Sequence, residues 1–246
     1  MAVSITTRIT GMNEAKRNEC PVHPLVVLFV EPDSIYKDMG LECYDEAIDA
    51  RTYTGNLPVI AHPPCQRWGA MAAVNYARWG GEHNRPGNDG GLFRFALDTV
   101  NRCGGVLEHP AKTRAWKAHG LTKPTGIGWQ KCGDGWTCEV WQSAYGHRAN
   151  KATWLYLVGE PLPLRWERPR GSHQVGFHDQ RGKARNKPTL GRKEARATPP
   201  KFAVALVELA LACSKHNKIR SRIQRSLRSN TRQGVVEPIL RCDAKG

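Results

Sequence analysis

Neither end of this 246-residue chain carries an apolar run long enough for a membrane span or a secretory signal, which points to a cytoplasmic location without a membrane partner. Acid is scarce: 22 Asp plus Glu stand against 37 Lys plus Arg. Eight cysteines lack the density of a disulfide scaffold, so reduced thiols fit better. Cys132 and Cys138 have no second ligand pair at zinc spacing, and no metal is expected. Cys65 is followed by Gln66-Arg67-Trp68, which departs from the Pro-Cys-x-x-Cys signature and excludes a zinc deaminase. No internal repeat is evident, and about 190 patterned residues suffice for one core.

What is present is organised around two apolar strand ends. Leu57-Pro58-Val59-Ile60-Ala61-His62-Pro63-Pro64-Cys65-Gln66 reads as a buried strand running into a stiff turn that carries a cysteine. Gly104-Gly105-Val106-Leu107-Glu108-His109-Pro110 reads as a second strand running into an acid and a proline. Between them Leu92, Phe93, Ala96, Leu97 and Val100 recur at helical intervals within residues 89–103. Strand, helix and strand form a βαβ unit whose right-handed crossover makes the strands parallel and brings Cys65 and Glu108 to one sheet edge. Ligands bind at that edge in open α/β sheets.

These motifs resemble DNA cytosine-5 methyltransferases. Pro63-Pro64-Cys65-Gln66 is similar to their nucleophile loop, and Glu108-His109-Pro110 to their Glu-Asn strand end. The resemblance is closer to small phage-encoded methyltransferase-like proteins, which share a Tyr-Gly-His segment, here Tyr145-Gly146-His147-Arg148, and it spans roughly residues 25–213. It implies that Cys65 adds to carbon 6 of a pyrimidine and that Glu108, as a carboxylic acid, hydrogen-bonds the ring nitrogen. The family's arginine-rich segment near the catalytic loop corresponds loosely to His147-Arg148 and Lys151, with Arg148 the foremost catalytic candidate, and these cations would lower the thiol pKa and hold a phosphate or the base carbonyl. Pro63, Pro64, Gln66 and His109 complete the implied substrate site, and the implied activity is modification of DNA, protecting it from restriction. The cofactor would be S-adenosylmethionine, held by Glu31, Asp33 and Asp45. The family's glycine-rich cofactor loop is absent, since no glycine lies between Leu25 and Met39. Asp45, Glu46 and Asp49 are equally readable as a helix N-terminus. A lone strand-end cysteine is more often a small buried hydrophobe, and Arg148 and Lys151 can be solvated charges.

The charge is concentrated late in the chain. Residues 165–201 hold 11 basic and 3 acidic side chains, residues 213–246 hold 9 and 2, and these excesses account for the net +15. An enzyme meeting a polyanion through appended elements has this layout, which makes DNA the expected partner and leaves protein partners unknown. Trp166, His173, Phe177 and His178 interleave with cations in 165–201, a long basic loop suited to phosphate and base contacts. The expected architecture is a single Rossmann-like α/β domain over residues 23–213 with a short, mostly parallel sheet. Its strands fall near 25–30, 57–61 and 105–108, with an antiparallel pair near 138–144 and 153–158, and a core helix begins at Pro199-Pro200. Residues 1–22 read as a flexible arm and 214–246 as a basic, disordered tail. Two other functions remain open: a catalytically silent DNA-binding homologue, and an enzyme acting on free pyrimidine nucleotides.

Overall fold

A computed structural model describes residues 24–175 and 187–213. The expected arm at 1–22, the tail at 214–246, and Phe177 and His178 of the basic loop lie outside the described residues.

The chain forms one α/β domain around a seven-stranded sheet. In chain order the strands are β1 (Val26–Leu28), β2 (Glu42–Tyr44), β3 (Val59–Ala61), β4 (Gly105–Pro110), β5 (Gln130–Cys132), β6 (Gly135–Trp141) and β7 (Ala152–Val158). Their spatial order is β2-β1-β3-β4-β7-β6-β5. The first four run parallel, and the last three join antiparallel to β4. Half of the strand pairings are therefore parallel, because β5, β6 and β7 are linked by tight connections that only antiparallel neighbours can use. The helices are α1 (Ile35–Asp38), α2 (Met71–Trp79), α3 (Leu92–Cys103), α4 (Arg114–Ala118), α5 (Arg192–Arg196) and α6 over residues 200–213.

Both faces of the sheet are covered, which explains why its central strands read as continuous apolar runs. Alternate residues divide between two cores. Val26, Leu28, Val59, Ala61 and Leu107 pack on Phe93, Ala96 and Val100 of α3. Leu25, Val27, Ile60, Val106, Leu155 and Leu157 pack on Phe202, Leu206 and Leu209 of α6. Each fully buried Phe or Leu of α6 contributes about 1.5–3 kcal/mol by removal from water. Cys132 and Cys138 fall in opposite cores, so the two thiols cannot share one metal ion.

Two strands escape the sequence pattern. β2 and β5 are three-residue edge strands, too short for a periodic signal, and β2 occupies part of the interval between residues 30 and 57 that read as a single short crossover. Asp45 and Asp49 accordingly sit beyond β2, where Asp45 Oδ1 accepts from the amides of Ala47 and Ile48 at 2.9 and 3.2 Å.

At Gly105 the sheet admits only glycine. Its φ is 121°, and a Cβ there would stand 2.0 Å from the Val59 carbonyl oxygen of the neighbouring strand. Gly105→Ala is expected to cost about 4 kcal/mol or more, since backbone rather than a mobile side chain must move. Urea unfolding of the variant measures this, with Gly191→Ala, which meets nothing within 4 Å, as the control.

Candidate functional site

The chain passes from β1 to β2 on one side and returns to β3 on the other, so the order of connection reverses between β1 and β3. The crevice at the carboxyl ends of strands flanking such a reversal is where open α/β sheets bind ligands. Ala61 pairs with Leu107 in register, and both strands then run into the turns that carry the candidate residues.

Strand alternation decides which of them meet. His62 continues the parity of Ile60, and Glu108 that of Val106, so both face the α6 side. Glu108 Oε2 lies 3.0 Å from His62 Nδ1, and His62 Nε2 lies 3.1 Å from the Tyr36 hydroxyl. Gln142 Nε2 donates to Glu108 Oε1 at 3.3 Å and to Thr153 Oγ1 at 2.9 Å. Burial, followed by the Glu108 charge, pushes the Tyr36 phenol well above its ordinary range. The protonated phenol can donate to Nε2, and the Nδ1 side of the ring faces Glu108.

For Glu108 the largest influence is burial, which raises its pKa. The hydrogen bond and charge of His62 and the charges of Lys151 and His109 together outweigh it, and the net direction is down. The carboxylic acid implied by the family resemblance is thus a carboxylate at neutral pH in the free protein. It is 13 % exposed, enough to accept a further hydrogen bond from a ligand.

Cys65 starts the turn after β3. Its carbonyl accepts from the amides of Trp68 and Gly69 at 3.0 and 3.1 Å, and Pro63 and Pro64 stiffen the approach. The residue is exposed. Desolvation at the strand ends raises its thiol pKa and the Glu108 charge adds to this, while a backbone hydrogen bond and the charges of Arg196 and Lys151 oppose. The exposed surface limits how complete that desolvation is, but the direction stands. Lys151 in turn is held below its ordinary pKa by burial, against the pull of Glu108 and Cys65. Its ammonium donates to the carbonyls of Arg196 and Ala197 at 2.9 and 2.8 Å, and its φ of 39° is a strained value for a non-glycine residue. Cys65, Glu108 and Lys151 therefore form one electrostatically coupled group.

The coupling makes an expectation for the free protein. Alkylation of Cys65 by iodoacetamide, followed by peptide mass spectrometry, is expected to be slow at pH 7.5 and to accelerate beyond pH 9. Lys151→Met is expected to slow it further at fixed pH, because a cation that favours the thiolate is gone.

The remaining sequence candidates are placed elsewhere. Arg148 is exposed and paired with Glu194 of α5, at 2.6 Å through Nη2. His147 is buried and its Nδ1 faces the Ala149 amide and carbonyl, which makes it a support for the turn into β7. His109, one residue past Glu108, points to the opposite face of the sheet. It is 1 % exposed among Phe93 and Trp116, and burial lowers its pKa to about 4. It therefore packs the core instead of meeting substrate. Pro63 is buried, whereas Pro64 and Gln66 line a wide cavity of about 620 Å³ with Arg67, His83 and Asp89.

The acids chosen for a cofactor are already engaged. Glu31 meets Arg196 at 3.3 Å, Asp33 meets Lys193, and Asp45 meets Lys37 at 2.5 Å. At the end of β1, where the resembled family has glycines, Phe29 adopts a left-handed φ of 62° and packs edge-on against Phe95 at 6.5 Å. A phenylalanine side chain and a proline thus stand where a backbone must be bare for close approach. These residues do not fit S-adenosylmethionine in the manner the resemblance implies.

The segment 165–201 is more structured than a solvated loop where it is described. Trp166 packs edge-on against Trp129 at 6.3 Å, His173 bridges to Ala149, and α5 lies across the carboxyl edge through its pairs with Glu31, Asp33 and Arg148. His62 and Gln142 lie inside the resembling segments, which give them no role, and Tyr36 lies outside them. For His62 the signal was its parity with Ile60 at the strand end. Among the described residues no group of three His, Cys, Asp or Glu is placed to hold a metal ion, and no helix is long and apolar enough to cross a membrane. No family model matches the chain, and a search of curated proteins finds no match, so the strand-end group itself carries the functional reading.

Proposed function

We propose that the chain acts on cytosine bases in DNA by reversible addition of Cys65 to carbon 6 of the ring, which makes the hydrogen at carbon 5 exchangeable. The observation that supports this most is the placement of an exposed cysteine and a carboxylate after the parallel-paired stretch of adjacent strands, with the half-buried Lys151 acting electrostatically on both. In this reading Lys151 favours the thiolate. The Glu108 carboxylate accepts the exocyclic amino group of the base, and a proton shared along Tyr36, His62 and Glu108 offsets negative charge developing at ring nitrogen 3. Addition at carbon 6 makes carbon 5 nucleophilic, and protonation of carbon 5 by water followed by elimination exchanges its hydrogen with solvent. No step is routed through S-adenosylmethionine, because the β1 end does not fit it.

The test is release of tritium from DNA carrying 5-tritiated cytosine, with no cofactor added. Release above the protein-free blank supports the reading. Release from a free cytidine nucleotide but not from DNA moves the substrate to nucleotides. No release from either leaves a DNA-binding protein without chemistry. Duplex DNA carrying 5-fluorocytosine, incubated with S-adenosylmethionine, separates methylation from simple exchange: a persistent adduct requires transfer of a group other than a proton.

A further inference from the structure

The stretch from His109 to Gly133 contains five Lys or Arg and no Asp or Glu, although it lies outside the two basic segments that dominate the net charge. Folded, it encloses a cavity of about 580 Å³ beyond the carboxyl end of β4. Lys112, Arg114, Lys117 and Lys123 line it, no carboxylate does, and the indoles of Trp116 and Trp154 lie at its base. All four cations are exposed. None pairs with an acid among the described residues, in contrast to Lys37, Arg51, Arg85, Arg94, Arg148, Arg168, Lys193 and Arg196.

The walls are held in place. The Arg114 amide donates to the Trp68 carbonyl at 3.0 Å, the Thr113 hydroxyl accepts from the Ala115 amide at 3.2 Å, and Trp116 is 1 % exposed with its indole N–H on Thr137 at 3.3 Å. Lys112 itself holds a φ of 65°, a conformation a lysine adopts only where its surroundings impose it. Four like charges gathered around one concavity repel one another unless an anion enters, and several anions in a row satisfy them better than one. Both indole N–H groups are occupied and both rings are nearly covered, so the base of the cavity offers apolar support and no open stacking face.

We infer that this cavity is a phosphodiester-binding cradle that holds a DNA strand beside the strand-end site. The inference rests on the proposed action on DNA and names the surface that grips it. Lys112 follows Glu108 by four residues, across the end of β4, so a strand seated here passes the same sheet edge on which Cys65 stands.

The experiment uses the full chain and a fluorescein-labelled DNA oligomer, with anisotropy read across salt concentrations. The quadruple variant Lys112→Gln, Arg114→Gln, Lys117→Gln, Lys123→Gln is compared with a control of equal charge change, Arg51→Gln, Arg78→Gln, Arg85→Gln, Arg94→Gln. Because each neutralised phosphate contributes about 0.9 to the log–log salt slope, the cavity variant is expected to lose about 2–4 from the slope and to bind about 10- to 100-fold more weakly at physiological salt. The control is expected to change by less than about threefold. Single Lys112→Gln and Lys117→Gln variants, each expected to lower the slope by about 1, cover the case in which the quadruple variant does not fold. Equal behaviour of cavity and control variants overturns the inference, as does displacement of the oligomer by an equimolar free nucleotide, which would make the cavity a nucleotide site. The catalytic reading fails separately: a cavity-dependent salt slope without tritium release keeps the cradle and removes the chemistry, whereas tritium release from DNA with no cavity dependence does the reverse.

Discussion

Cys65→Ala is expected to abolish tritium release from cytosine carbon 5, by about a thousandfold or more, because no other described group at this edge can form the carbon–sulfur bond. Glu108→Gln keeps the shape and the contact to Gln142 but removes the acceptor for His62 and for the exocyclic amine. It is expected to lower release by about a hundredfold, in the range of removing one positioned proton-transfer or charge-stabilising group. Arg148→Ala, by contrast, is expected to change release by less than about fivefold, since its guanidinium is committed to Glu194 at the surface. The pH profile follows from the two shifts. Glu108 is held below the usual carboxylate range, so its ionised form is present throughout the neutral and alkaline region. The Cys65 thiol is pushed up, so release should climb with pH from 7 to beyond 9 with no fall caused by Glu108. A profile flat from pH 6 to 9 would mean that the thiolate is already formed, and the electrostatic description of Cys65 would be wrong.

The second large effect is on stability in acid, and it originates on the other face of the same strand. His109 is buried among Phe93, Trp116 and Trp68's neighbours in the α3 core, and its pKa falls from 6.5 to about 4. Burial is the main cause, against the Glu108 charge and the Pro64 backbone, both of which favour the proton. Between those two values the unfolded chain binds a proton that the folded chain refuses. Stability is therefore full above pH 6.5 and is lost as pH falls toward 4, by about 3 kcal/mol at about 1.4 kcal/mol per unit. Urea unfolding at pH 7 and pH 4 measures this loss directly. His109→Phe, which suits the surrounding rings, is expected to remove most of the difference. Glu108 also contributes acid lability, since its depressed folded pKa means a favourable interaction that disappears as pH falls through that value, but this component lies lower in pH and survives in His109→Phe.

The α/β class, the α3 and α6 helices and the placement of Cys65 and Glu108 after the parallel-paired stretch of adjacent strands were legible in the amino-acid order. Each rests on a periodic or punctuated signal: Leu92, Phe93, Ala96, Leu97 and Val100 at helical spacing, Pro199-Pro200 at a helix entrance, and two apolar strands joined by a crossover whose hand is dictated by chain twist. Which neighbours of Glu108 share its face was readable only in part. Adjacent residues on a strand point to opposite sides, so Glu108 reaches His62 while His109 enters the α3 core, and a motif written as a string places the two together. The tertiary structure alone determined the fate of the charged candidates. Glu31, Asp33 and Arg148 are paired with residues about 46 to 165 positions away, on the five-residue helix α5. Ion pairs between exposed side chains carry no periodicity and contribute little energy, so nothing in local sequence announces them. The cluster of Lys112, Arg114, Lys117 and Lys123 lies between these cases: its lack of acid is visible in the chain, but its concavity exists only because Trp116 and Trp154 meet beneath it, at a ring separation of 5.8 Å.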